Sequence, residues 1–187
     1  MYALGADRVV VDGGAYVGDT LESFLTCCSN RFRHYYAFEP DPASYAKLAA
    51  RAGSDPAHVT AICAGLARHT GVARLSSTAG ADSRVLAEAE PGGESVSVVS
   101  LDEYFDRRPQ PSLIKMDIEG AETDALLGAA RILEHAAPTL AVSAYHLPAD
   151  LWSVPLLIER LMPHSSLYLR HYGREIDDTV CYAVPIR

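Results

Sequence analysis

Acids and a histidine stand where apolar runs of this chain stop. Asp12 follows Val9-Val10-Val11, Glu39 follows Tyr35-Tyr36-Ala37-Phe38, Asp117 and Glu119 follow Leu113-Ile114-Lys115-Met116, and His146 comes shortly after Thr139-Leu140-Ala141-Val142-Ser143. Carboxylates accept hydrogen bonds from a diol or face a cationic amine, and an imidazole with an ordinary pKa of about 6.5 takes a proton near neutrality. Such a set suits binding of a polar ligand and removal of a proton from a hydroxyl. Lys115 precedes Asp117 by two, which places both on one side of a strand.

The segment Asp12-Gly13-Gly14-Ala15-Tyr16-Val17-Gly18-Asp19-Thr20 puts glycines where the backbone must turn sharply and let a ligand come close. Taken alone it is equally a ligand-free turn between strand and helix. Glu39, however, follows Gly18 by 21 positions, near the roughly 20 expected when an acid at the second strand end holds a ribose diol. Together these imply an adenosine-type ligand. The loop lacks the GxGxxG of nicotinamide enzymes, and Asp12 before the glycines suits a ligand carrying a cationic amine rather than a pyrophosphate. S-adenosylmethionine has that amine and no phosphate.

Positioning these groups requires alternating strands and helices. Short β-branched or aromatic runs over 9–11, 35–38, 59–63, 72–75, 96–101, 113–117 and 139–143 read as strands. Helical spacing appears from Asp19 or Thr20 (as cap) through Leu21, Phe24, Leu25 and Cys28. It recurs from Asp41-Pro42 through Tyr45, Leu48 and Ala49, over 102–107, over 121–135 with Leu126, Leu127, Ala130 and Leu133 inward, and over 150–161, where Pro155 is tolerable if it lies in the first turn. Residues 78–93 read as a long loop, and 166–172 with 179–184 as a closing antiparallel hairpin at the sheet edge. The pattern demands an α/β fold with a mainly parallel sheet and helices on both faces, so ligands belong at the carboxyl ends of the strands.

With 187 residues, 49% hydrophobic and 21% charged, the chain is expected to form one domain over 1–187. A net charge of -8 argues against a nucleic-acid partner, since no broad field attracts phosphates. Cys27, Cys28, Cys63 and Cys181 show no CxxC spacing, and reduced thiols fit best. No apolar run reaches the roughly 20 residues of a membrane span, and the start lacks a signal-peptide layout, so a cytoplasmic protein without a membrane partner is expected.

The stretches VVVDGGAYVGDTLESF, YYAFEPDP, SLDEYF, LIKMDIEGAETDALLGA, SAYHLPADLW, LYLRHYG and TVCYAVP resemble the FkbM family of S-adenosylmethionine-dependent methyltransferases, KMDIEGAE most specifically. The resemblance covers nearly the whole chain. It implies a class I methyltransferase (Rossmann-like) fold, a seven-stranded sheet whose final strand is antiparallel. It implies S-adenosyl-L-methionine as cofactor, held by Asp12, Gly13, Gly14, Ala15, Tyr16, Gly18, Asp19 and Thr20, by Glu39 at the ribose, and with Asp117 nearby. Pro40 and Ala64 extend the adenine pocket. Ala64 lacks the carboxylate many such enzymes carry there, and Asp82-Ser83 are candidates to replace it. Family members usually carry residues before the first strand that close the site; they are absent here, so a homo-oligomer or an N-terminal partner segment is a candidate lid.

The implied reaction is O-methylation of a hydroxyl on a small molecule such as a sugar or natural-product intermediate. His146 is the candidate base, Asp117 orients the acceptor or takes the proton, Glu119 binds the acceptor or caps the next helix, and Lys115 completes the catalytic set. Plainer readings stand beside these. Glu119 and Glu122 also meet a helix dipole, Lys115 also suits an ion pair, and His146 also satisfies a buried loop. Asp117, Glu119 and His146 suit a divalent metal, although no metal is expected. A noncatalytic nucleotide-binding module of a larger assembly is the alternative function.

Overall fold

The computed structural model describes residues 7–28, 31–76, 85–86, 92–173 and 178–186. Seven strands form one sheet: β1 (Val9–Gly13), β2 (His34–Phe38), β3 (Val59–Ile62), β8 (Leu113–Met116), β9 (Thr139–Ser143), β10 (Ser165–His171) and β11 (Thr179–Pro185), ordered β10-β11-β9-β8-β1-β2-β3. The remaining strands, β4 (Gly65–Leu66), β5 (Gly71–Leu75), β6 (Val85–Leu86) and β7 (Glu94–Val99), form a second sheet, β4-β7-β5-β6. The helices are α1 (Asp19–Cys28), α2 (Pro42–Ala52), α3 (Leu101–Tyr104), α4 (Glu122–Leu127), α5 (Ala130–His135) and α6 (Asp150–Leu161).

Period-two alternation splits the core. Val9, Val11, Ile114, Met116, Leu140 and Val142 face Leu126, Leu133, Val154 and Ile158, on the side of α3 to α6. Val10, Tyr35, Ala37 and Val59 face Leu21 and Leu48 of α1 and α2. The second face is covered less completely toward the hairpin, where Leu113, Ala141 and Tyr182 stay half-buried. Among the described residues no helix is long and apolar enough to cross a membrane.

The expected antiparallel hairpin does close the sheet edge: β11 inserts between β9 and β10, antiparallel to both, and β10 is the outermost strand. Several sequence expectations change. The strand expected to run to Leu101 ends at Val99, and with β5 it leaves the main sheet for the small one. Helix α1 starts at Asp19 rather than being capped by it, since Gly18 O already accepts the Glu22 N–H at 3.1 Å. Asp41 does cap α2, its Oδ2 accepting the Ser44 N–H at 2.7 Å. Pro155 sits inside α6, past its first turn. Asp82 and Ser83 lie outside the described residues.

The helix expected over 121–135 is broken at Gly128-Ala129, with Ala125, Ala129 and Ile132 buried in place of Leu127 and Ala130. Gly128 lies against the backbone of Ala67, and its carbonyl accepts from Asp102 N–H at 2.9 Å and Ser100 Oγ at 2.8 Å. A Cβ there would stand 2.1 Å from Ala67 O. Backbone cannot yield as a side-chain tip does, so Gly128→Ala is expected to destabilise by roughly 1–3 kcal/mol in urea unfolding. An unchanged midpoint would contradict this packing.

Candidate active site

The carboxyl ends of β1, β2 and β8 meet at one rim, and a buried ion pair joins two of them. Asp12 and Lys115 are direct neighbours across β1 and β8. Asp12 is fully buried, with Oδ1 3.0 Å from Lys115 Nζ and Oδ2 accepting the Tyr35 hydroxyl at 2.6 Å. Oδ1 is thus met by the lysine as an ion pair and Oδ2 by the phenol, and the carboxylate is enclosed by the protein.

Lys115 braces the glycine turn. Its ammonium donates to Gly14 O at 3.0 Å and Gly13 O at 3.4 Å, tying the glycine turn to β8. Burial alone would lower its pKa, but Asp12, Asp117 and Asp19 outweigh that and raise it, so Lys115 stays charged. Burial likewise pushes the Tyr35 phenol well up, reinforced by Asp12.

The turn carries this order to Glu39. Gly14 and Ala15 N–H both donate to Phe38 O, at 3.1 and 3.0 Å. Gly14 has φ +72, and a Cβ on it would meet Asp117 O at 1.8 Å, so only glycine fits. Tyr16 takes φ 47, and its N–H donates to Glu39 Oε2 at 2.8 Å, while Oε1 accepts from Asp41 N–H at 2.9 Å. A carboxylate has about four lone-pair sites, so two remain for a ligand diol. Burial raises the Glu39 pKa, against the pull of the Asp41 and Tyr16 N–H groups.

Asp19, at the first residue of α1, is exposed, and Thr20 is half-buried beside it. Pro40 lies beside Gly65, and Ala64 is buried, offering an apolar wall. Cys63, which the sequence reading left unassigned, is exposed at the end of β3; burial together with Glu39 and Asp41 raises its pKa. The donor set fits an adenosyl ligand with an amine: a diol acceptor in Glu39, exposed acid in Asp19, and a backbone turn held open by glycine.

On the other side of the rim, Asp117, Glu119, Glu122 and His146 converge. His146 Nε2 is 3.4 Å from Asp117 Oδ1 and 3.5 Å from Glu119 Oε2, and Nδ1 is 2.8 Å from Glu122 Oε1. Tyr145, also missed by the sequence reading, donates its hydroxyl to Asp117 Oδ1 at 3.2 Å and lays its ring 4.2 Å from the imidazole. Burial pulls the His146 pKa down, but Glu122, Glu119 and Asp117 outweigh it and the net shift is upward. Burial and Asp117 push the Tyr145 phenol up. Donor atoms of Asp117, Glu122 and His146 lie within 4.8 Å of one another; ion-pair contacts between the imidazole and its carboxylates account for the same spacing.

Residues 12–176 match the methyltransferase FkbM domain. The chain belongs to the FkbM methyltransferase family. The S-adenosylmethionine-dependent class and the class I methyltransferase fold that the sequence resembles are thereby those of its own family. The chain is 25% identical over 120 residues to the hexuronic acid methyltransferase AglP of Haloferax volcanii, covering 63% of this chain and 50% of AglP. The structure of methyltransferase FkbM from Methylobacillus flagellatus KT superposes with a TM-score of 0.81 at 25% identity, over 98% of this chain and 45% of that one. Aeropyrum pernix fibrillarin with natively bound S-adenosyl-L-methionine shares the fold, with a TM-score of 0.57 at 13% identity over 98% of this chain and 69% of that one. The chain spans about half the length of AglP and of the Methylobacillus flagellatus protein.

Removing the lysine of the brace leaves the buried Asp12 carboxyl with only the Tyr35 hydroxyl as partner among the described residues. Lys115→Met is therefore expected to lower stability by roughly 3–5 kcal/mol in denaturant unfolding. A loss below about 1 kcal/mol, typical of an exposed pair, would show that the pair does not brace this rim.

Proposed function

We propose that this FkbM domain transfers a methyl group from S-adenosylmethionine to a hydroxyl of a small molecule, with a sugar the favoured acceptor. The observation that carries the reading is the placement of a diol-accepting carboxylate, Glu39, and a proton-accepting cluster around His146 on either side of one glycine turn. The hexuronic acid methyltransferase among its relatives supports a sugar. Bound at this rim, S-adenosylmethionine supplies an electrophilic methyl carbon on a sulfonium.

The chain's own residues do the rest. Glu39 accepts the ribose hydroxyls, and the exposed Asp19, with Asp117 across the turn, faces the amine. Asp12 acts one step back by holding Lys115, which holds the carbonyls of Gly13 and Gly14. Pro40 and Ala64 line the adenine side. Positioning supplies much of the rate in a displacement of this kind, yet a hydroxyl must still lose its proton. His146 takes it through Nε2, and Asp117, steadied by Tyr145, orients the acceptor beside Glu119.

Calorimetric titration with S-adenosylhomocysteine tests the cofactor half. Glu39→Ala should weaken binding by about 1–3 kcal/mol, because a buried diol loses its acceptor; equal affinity would count against the ribose assignment. Methyl transfer to a panel of sugars tests the other half. There His146→Ala should lower turnover by about 10²–10⁴ while leaving S-adenosylhomocysteine affinity intact. Equal loss in both would mark His146 as structural, and cofactor binding without turnover on any hydroxyl would favour a noncatalytic module.

A further inference from the structure

Glu122 has so far only kept company with His146, and its burial is hard to explain by helix-dipole chemistry. An acid in the first turn of a helix meets the dipole equally well while facing water, whereas enclosing a carboxylate is costly unless it is paired. Glu122 is nevertheless wholly buried. Its Oε1 accepts the Ile118 N–H at 2.9 Å and stands 2.8 Å from His146 Nδ1 as an ion-pair contact, while its Oε2 and both imidazole nitrogens have no aligned hydrogen-bond partner among the described residues. Ile118 belongs to the segment that carries Asp117 and Glu119, so one carboxylate locks that segment to the histidine.

The distances favour one tautomer. Both ring nitrogens face carboxylates, but Glu122 stands nearest, at 2.8 Å against 3.4 and 3.5 Å, so in neutral imidazole the proton belongs on the nitrogen facing Glu122 and the lone pair on the other. That other nitrogen is Nε2, directed toward Asp117 and Glu119. We propose that Glu122 is a positioning residue that holds His146 as the Nδ1–H tautomer, leaving Nε2 as the atom that takes the acceptor's proton. The proposal rests on the methyl-transfer reading of the same rim.

The step balances without a further reactant. The acceptor O–H bond breaks and its proton forms the Nε2–H bond, an oxygen electron pair bonds the methyl carbon, and the carbon–sulfur pair remains on sulfur. His146 becomes an imidazolium beside the Glu122 carboxylate. The groups that face this imidazole are Glu122 from α4, Asp117 and Glu119 from the segment after β8, Tyr145 beside it in sequence, and Asp150 at the start of α6. Their carboxylates favour the charged ring, so His146 titrates above an ordinary histidine, and its base form appears as pH rises through that raised value. Loss of the Glu122 charge should lower the titration.

Ring-¹⁵N histidine spectra of the full chain test this directly, with His146 assigned by its absence in His146→Gln and S-adenosylhomocysteine titrated calorimetrically into each protein. The neutral wild-type ring should show the Nδ1–H pattern with an elevated midpoint. Glu122→Gln should lower the midpoint and mix the tautomers, and Glu122→Asp should restore both in part, with ligand affinity unchanged throughout. An Nε2–H wild-type ring, or the same tautomer and midpoint in Glu122→Gln, overturns the proposal; so does a ring that titrates only after EDTA, which would reveal a bound cation. Should Glu122→Gln fail to fold, the wild-type tautomer and Glu122→Asp decide. If no protein binds S-adenosylhomocysteine, the methyl-transfer reading falls, and the proton-transfer role with it, whatever the tautomer.

Discussion

The Asp12–Lys115 pair is the constraint from which the rim is built. It joins the ends of β1 and β8, while Tyr35 brings in β2 through its hydroxyl. Lysine then reaches past its partner to the carbonyls of Gly13 and Gly14, and Asp117 N–H donates to Gly13 O at 3.1 Å. From one side of this knot the chain leads through Tyr16 N–H to Glu39; from the other it leads directly to Asp117 and His146. A buried pair is a weak device for stability compared with apolar packing, so its value here lies in holding two polar half-sites at one separation. That interpretation explains why an ion pair is kept where the flanking Val11, Ala37 and Met116 are wholly buried and apolar.

Two of the four non-glycine residues with left-handed backbone among the described residues lie at this rim, the others being Ala137 and Asp178. Tyr16 and Glu119 both adopt left-handed backbone, with φ 47 and 55, and Gly120 follows at φ 91. Non-glycine residues in this region cost free energy and persist when surrounding structure over-determines them. At Tyr16 the compensation is the N–H bond to Glu39, which the ordinary backbone conformation would aim elsewhere. At Glu119 the bend brings its carboxylate back over the histidine. Strain and burial therefore serve the same end, fixing polar groups before any ligand arrives.

Much of this was legible because strands end where apolar runs end. The runs at Val9, Tyr35, Leu113 and Thr139 announced four parallel strands, and the acids after them announced a rim. The 21-residue step from Gly18 to Glu39 reflects a strand–helix–strand unit of ordinary size. What was illegible depends on long-range register. Nothing near Asp12 in sequence reveals that Lys115 and Tyr35 will enclose it, so an acid that looked ligand-facing is a brace. Glu122 has the type and place of a dipole-compensating acid, and only the approach of His146 from beyond the end of β9 makes it more. The two-residue β4 is too short for any periodicity, and with it the second sheet escaped notice. Gly128 breaks a helix because Ala67 crowds it, a contact 61 residues away in sequence.

A structure of the full chain with bound S-adenosylhomocysteine tests the central claim most directly. The account predicts both ribose hydroxyls on Glu39, the amine beside Asp19 or Asp117, and the Asp12–Lys115 contact unchanged beneath the glycine turn. An amine inserted between Asp12 and Lys115, or a ribose bound away from Glu39, would contradict it.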